Sequence, residues 1–233
     1  MPERKGSLRL HEEVLLLALR DEEGTIAAGT LYQYAIGGAI LAELLLERRV
    51  AVDGRKKNRK LVDGIDPTPL GAPILDECLQ RISTARRRAS LQTWVSRFAS
   101  IKDLKHRVAG RLCERGILHE EEGKILLFFT RRIYPESDPR PERELIERLR
   151  RAIFTDSGDV DPRTGVLLSL ANSASLLRVV FDRKELKGRK ERIERIVNGE
   201  LVGRATKEAI EAIHAAVMVA CIVPVICAST TSG

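Results

Sequence analysis

Lys102 and Lys105 stand three residues apart within a strongly basic stretch of the chain. Ile101, Leu104, Val108 and Leu112 recur at spacings of three, four and four, which predicts a helix over 101–115 with an apolar stripe. The two lysines then share one flank of that stripe, a turn apart. Two ammonium groups held on a rigid face can grip one phosphate, the chemistry that lipid-headgroup capture requires. Between 81 and 115, ten Lys and Arg face only Asp103 and Glu114, so this stretch carries +8 and the rest of the chain −1. Charge so concentrated suits a phosphate-bearing partner, either nucleic acid or an anionic membrane. For any one of these arginines the plainer role is a solvated helix face.

The other reactive side chains assemble into nothing comparable. His11, His106, His119 and His214 are scattered and have no metal-ligand spacing. Cys78, Cys113, Cys221 and Cys227 form no Cys-x-x-Cys pair and no zinc pattern, and read as reduced thiols of a cytosolic protein. Gly-x-Gly-x-x-Gly, P-loop, His-Glu-x-x-His and Gly-x-Ser-x-Gly motifs are all missing from the sequence. The expectation is a non-enzymatic chain with no cofactor and no metal. Residues 1–7 read as a short tail without an apolar signal core.

The elements that must position the lysines are mostly helical. The chain has 233 residues, 43% hydrophobic and 31% charged, enough for one substantial core. Aromatic residues are only 4%, too few for a single-strand stacking platform. Leu10, Val14, Leu17 and Ala18 follow helical spacing behind Glu12 and Glu13. Segments 25–42 and 212–228 carry no Lys, Arg, Asp or Glu. Both fall short of the ~20 apolar residues a membrane span needs, so both are expected in the core. Twice a helix runs into a hairpin. The first turns at Asp53-Gly54; the second turns at Glu122-Gly123 and returns through 124–129. Helix followed by wing is the shape of a winged-helix unit, which makes DNA binding the rival expectation. Pro-rich loops at 66–73 and 134–141 follow the hairpins, and the second leads into a helix bearing Leu145, Ile146, Leu149 and Ile153. Phe128, Phe129, Ile133 and Tyr134 make an apolar hairpin that either meets a bilayer or another subunit, or packs on its own domain.

Taken in order, several stretches resemble the Golgi phosphoprotein 3 family of peripheral membrane proteins. They are Leu10-His11-Glu12-Glu13-Val14-Leu15-Leu16-Leu17-Ala18-Leu19, Gly38-Ala39-Ile40-Leu41-Ala42-Glu43-Leu44, Ile74-Leu75-Asp76-Glu77, Glu114-Arg115-Gly116-Ile117-Leu118, Leu126-Leu127-Phe128 and the segment from Arg163 through Ala171-Asn172-Ser173-Ala174-Ser175 to Phe181. The resemblance implies a mostly α fold: a single helical domain over 8–228 around a buried apolar helix, with short β-hairpins and a C-terminal tail at 229–233. It implies binding of phosphatidylinositol 4-phosphate, or another anionic phospholipid, on a basic face. The hairpin over 126–140 would touch the membrane or a second copy of the chain through Phe129, Ile133 and Tyr134. Two pocket arginines of the family fall on Lys102 and Lys105, where charge is kept and the bidentate fork is not. A third falls on Gly37, and the pocket tryptophan falls near Ala28 or Gly29. The short N-terminal tail resembles a prokaryotic-type member. Such a protein is expected in the cytoplasm, peripheral on the cytosolic membrane face. In eukaryotes these proteins help retain glycosylation enzymes in the Golgi. The alternatives are a winged-helix-like DNA binder, with nucleic acid the less favoured partner, and an oligomeric protein-interaction scaffold.

Overall fold

In the computed structural model, residues 7–20, 24–27, 31–53, 60–125, 129–156, 158–202 and 217 are described. Helix α1 (Leu10–Ala18) has no solvent-facing side: all nine residues are buried, His11, Glu12 and Glu13 among them. Helix α2 (Leu31–Leu46) lies against it, with an unbroken buried run from Ala35 to Leu44. A helix enclosed on all sides needs apolar residues all round, which is why 31–42 can do without charge. Of the uncharged segment 25–42, Tyr32 and residues 35–42 are core, while Gln33 is exposed and 25–27, Leu31 and Tyr34 are partly buried. Segment 212–228 lies outside the described residues except for Val217, which is fully buried beside Gly38 of α2. Among the described residues no helix is long and apolar enough to cross a membrane.

Both helix–hairpin units are present. After α2, strands β1 (Val50–Asp53) and β2 (Leu61–Gly64) pair antiparallel, and β3 (Ala89–Ser90) adds to β2 to complete a three-stranded sheet. The turn expected at Asp53-Gly54 begins where β1 ends, and 54–59 lie outside the described residues. Between β2 and β3 comes α3 (Pro73–Ser83), opened by a proline at its first position, where no N–H is required. Helix α4 (Leu91–Ala99) follows β3, its first turn capped by Ser90, whose hydroxyl accepts the Thr93 N–H at 3.2 Å.

The second unit is α5 (Leu104–Glu114) followed by β4 (Glu121–Ile125) and β5 (Phe129–Ile133). Its turn is not at Glu122-Gly123. Both residues sit inside the ladder, Glu122 opposite Arg132 and Gly123 opposite Arg131, and the chain reverses after Ile125. Gly123 serves a close approach instead: a Cβ there would lie 2.9 Å from Ile133 Cγ2. The amphipathic helix α6 (Arg140–Phe154) buries Leu145, Leu149 and Ile153, with Ile146 half-buried at the edge. Helices α7 (Pro162–Ser173), α8 (Leu177–Val180), α9 (Arg183–Gly188) and α10 (Lys190–Val197) close the described fold. The architecture is mostly helical, with two small antiparallel sheets.

Candidate anion-binding face

Helix α5 starts three residues later than its apolar periodicity predicts. Ile101 is buried, but Asp103 adopts φ 55°, and this left-handed residue separates α4 from α5. Lys102 therefore sits in the exposed turn before the helix, and Lys105 in the first helical turn. The pair does not ride one rigid flank, although both occupy the N-terminal end of α5, where a helix favours anions.

Lys105 is half-buried, its Nζ 5.7 Å from the centre of the Tyr134 ring. Burial, with Arg131 and Arg132 adding like charge, pulls its pKa below the ordinary lysine value. No carboxylate partners it among the described residues. Tyr134 itself is only 1% exposed. Its hydroxyl sits 2.7 Å from His106 Nδ1 and donates to Glu120 Oε2 at 3.4 Å. Burial, then the Glu120 charge, pushes the phenol up to about 12. Tyr134 is thus an internal strut between hairpin and α5, which corrects its expected role at a membrane or subunit surface. A ring that ends a strand of a packed hairpin finds its partners at home. Ile133 is half-buried, and the Phe129 side chain lies outside the described residues. So does Ala28. Gly37 is buried in α2 against α4, where a Cβ would come 2.6 Å from the Val95 carbonyl oxygen and 3.0 Å from the Ala99 nitrogen. The fold thus joins Lys105 and Tyr134 directly and seats Gly37 on the last turn of α4, just ahead of Lys102.

Much of the +8 is answered within the chain. Arg81 and Arg107 share Glu77 at 2.7 and 2.6 Å, and Arg88 reaches Asp53 and Asp63. Arg111 pairs with Glu114, Arg115 reaches Glu12 at 2.8 Å, and Arg97 lies over the Trp94 ring at 4.8 Å. Arg86, Arg87 and Lys102 are left without a carboxylate partner among the described residues. Outward charge of this stretch is therefore confined to the Arg86-Arg87 loop and the start of α5, the latter flanked by the exposed Arg131 and by Arg132, which lies 3.8 Å from Glu120.

A second charged constellation escaped the sequence reading. Glu12, Glu13 and Glu43 are buried, and Arg115, Arg148 and Arg163 reach them from distant parts of the chain, with Arg9 3.5 Å from Glu43. Arg163 donates to Glu43 at 3.0 and 3.2 Å and to the Leu8 carbonyl, Arg148 to Glu13 at 2.9 Å, and Arg115 to Glu12. Glu43 also accepts the Leu10 N–H at 2.7 Å, which caps α1. The sequence does carry the signal: carboxylates embedded in the apolar runs of α1 and α2 must be partnered or neutral. This network ties helices together.

His11 lies at its edge, 3% exposed, with Nδ1 unpartnered. Burial holds its pKa below 6.5 against the pull of Glu12 and Glu43, with Arg9 and Arg163 adding to the depression. The unfolded chain then takes up this proton first, so stability is lost as pH falls below 6.5 towards the folded value. The slope is at most about 1.4 kcal/mol per pH unit. Urea midpoints at pH 7 and pH 5.3 should differ less in His11→Gln than in the wild type. Because His106 is also depressed, the difference between the two proteins is the quantity to read.

With this geometry in place, comparison with known proteins is decisive for the family. The model of the Golgi phosphoprotein 3 (GPP34) family matches residues 10–213. The chain belongs to the Golgi phosphoprotein 3 family. The match begins at the first residue of α1 and takes in both helix–hairpin units and the buried Glu–Arg network. A curated family relative, vacuolar protein sorting-associated protein 74 of Eremothecium gossypii, is 28% identical over 143 residues. That alignment covers 54% of this chain and 43% of the relative, less than half of the relative's length.

Proposed function

We propose that this Golgi phosphoprotein 3 family member is a non-enzymatic peripheral membrane protein that binds acidic phospholipid headgroups at the start of α5. The observation that carries this is Lys105: a half-buried ammonium stacked on Tyr134, crowded by Arg131 and Arg132, with no carboxylate beside it among the described residues. Glu120, 3.8 Å from Arg132, answers part of this charge; the positive excess that remains raises the free energy of the unliganded surface, and an external phosphate relieves it. Lys102 and the N–H groups of the first α5 turn add to the same potential. Phosphatidylinositol 4-phosphate is the headgroup that the family resemblance points to. Ile133 and Phe129 remain the hairpin residues proposed to meet the membrane or a second copy of the chain, on the cytosolic face.

Duplex DNA fits this surface less well. A recognition helix needs free side chains along its length, whereas Arg107 of α5 and Arg115 just past its end are held by Glu77 and Glu12.

Vesicle co-sedimentation at ~150 mM salt tests the assignment. Neutral vesicles are compared with vesicles carrying phosphatidylinositol 4-phosphate and with charge-matched phosphatidylserine vesicles. Each basic residue near an anionic surface contributes about 1 kcal/mol, so Lys102→Ala/Lys105→Ala should weaken binding by roughly 30-fold. Preference for the phosphoinositide would mark a headgroup pocket, and equal binding to both anionic surfaces a general acidic-lipid site. Absence of binding to either, or full binding by the double variant, would overturn the proposal.

A further inference from the structure

We propose a second anion site, separate from the start of α5, in an open hollow between the C-terminal end of α3 and α4. Arg81, Arg86, Arg87 and Arg97 all line it, and no acidic residue does. Neither Lys102 nor Lys105 takes part. Arg81 is committed to Glu77 and Arg97 lies over Trp94, whereas Arg86 and Arg87 have no carboxylate partner among the described residues. Gln92 and Ser96 bring side-chain donors to the same lining, also without partners among the described residues. Trp94 lines it too, 2% exposed, and its indole N–H is buried without a hydrogen-bond acceptor. A buried donor left unsatisfied costs free energy, and natural interiors rarely tolerate one. Trp94 also lines a smaller cavity beside Asp63; the missing acceptor and the missing counter-charge belong to residues that share this hollow's wall.

The chemistry that supplies both is a phosphate group: anionic, rich in acceptor oxygens, and matched to the planar fork of arginine. A polynucleotide is disfavoured, because the one indole available for base stacking is buried and covered by Arg97. The ligand class is therefore a compact phosphate ester, carried either on a lipid headgroup or on a soluble metabolite. The site does not depend on the lipid proposal for Lys102 and Lys105, and its failure would leave that proposal standing.

Trp94 is the only tryptophan in the chain, so its fluorescence reports on this hollow directly. The full chain is titrated at fixed ionic strength with glycerol 3-phosphate, and separately with phosphatidylcholine vesicles lacking or containing one-tenth phosphatidic acid. A saturable change in emission is expected, as Arg97 shifts from the ring towards the anion. Arg86→Ala/Arg87→Ala removes two exposed groups with no packing role and should weaken binding at least about tenfold. Lys102→Ala/Lys105→Ala should leave the change elicited by glycerol 3-phosphate intact. A response to the soluble ester alone identifies a metabolite site, and a response to both probes identifies a headgroup site. The proposal is overturned if neither probe gives a saturable change, if the arginine variant responds like the wild type, or if the lysine variant abolishes the response to glycerol 3-phosphate. It is equally overturned if only a 20-base-pair DNA duplex elicits the change.

Discussion

Replacing Arg163 with alanine should destabilise the fold by about 3–5 kcal/mol, the cost of removing the main partner of a buried carboxylate, which keeps only Arg9 at 3.5 Å. Arg163 reaches Glu43 with two nitrogens and lies 3.9 Å from Glu13, and both carboxylates are nearly inaccessible. The pH dependence carries a sign that tests the cause. Burial alone would raise the Glu43 carboxyl, but the Arg163 charge and hydrogen bonds, with the Leu10 N–H, hold it below 4.5. In the wild type that contribution is present above pH 4.5 and fades as pH falls through the folded value. Glu13 already sits above 4.5, because burial outweighs Arg163 and Arg148. Without Arg163 both folded values rise, so the variant's stability is lost as pH climbs from 4.5. Its deficit against wild type should be smaller at pH 4.5 than at pH 7. Glu43→Gln in the Arg163→Ala background removes the stranded charge and keeps an acceptor for Leu10, and should restore part of the loss. Urea denaturation at the two pH values decides it: an equal deficit at both, or one below about 1 kcal/mol, would refute the role given to this pair.

Gly37 supports the second large expectation. Its Cα faces the backbone of α4, and a Cβ would stand 2.6 Å from the Val95 carbonyl oxygen. Backbone atoms of a packed helix cannot step aside as a side chain can, so α2 and α4 must separate. Gly37→Ala should cost about 1–3 kcal/mol, and Gly37→Arg at least as much. Restoring the family's arginine here would therefore unseat the helix pair before it completed any pocket. Gly110 is the internal control: it is also helical, and nothing lies within 4 Å of its added Cβ. Gly110→Ala should stabilise by roughly 0.5–1 kcal/mol. A Gly37→Ala protein as stable as the wild type would show that the α2–α4 contact gives readily.

The helical class, the buried α2 and the two helix–hairpin units are legible in the sequence, because long uncharged runs and strong periodicity leave few alternatives. The start of α5 is not, because Asp103 turns the chain in the left-handed region against an uninterrupted apolar spacing. The second hairpin turn is misread for a related reason. Gly123 looks like a turn residue and is in fact a gap made for Ile133 across the ladder. Of the candidate site, Lys102 and Lys105 stand out by charge and spacing. Their neighbours Arg131 and Arg132 come from another element, and no local pattern links them to α5. The same holds for Tyr134, whose apolar ring suggests a surface anchor until His106 and Glu120 are seen around its hydroxyl.

The buried Glu–Arg network also governs the order in which the chain can mature on the ribosome. Glu43 meets Arg163 across 120 residues, and Glu13 meets Arg148 across 135. At 5–20 residues per second, α1 and α2 emerge roughly 6–27 s before the arginines that neutralise them. Throughout that interval α1 and α2 carry buried-to-be carboxylates that still lack Arg148 and Arg163 and favour a solvated state. Their final desolvation waits for α6 and α7, so the same charges that lock the finished core delay its premature collapse.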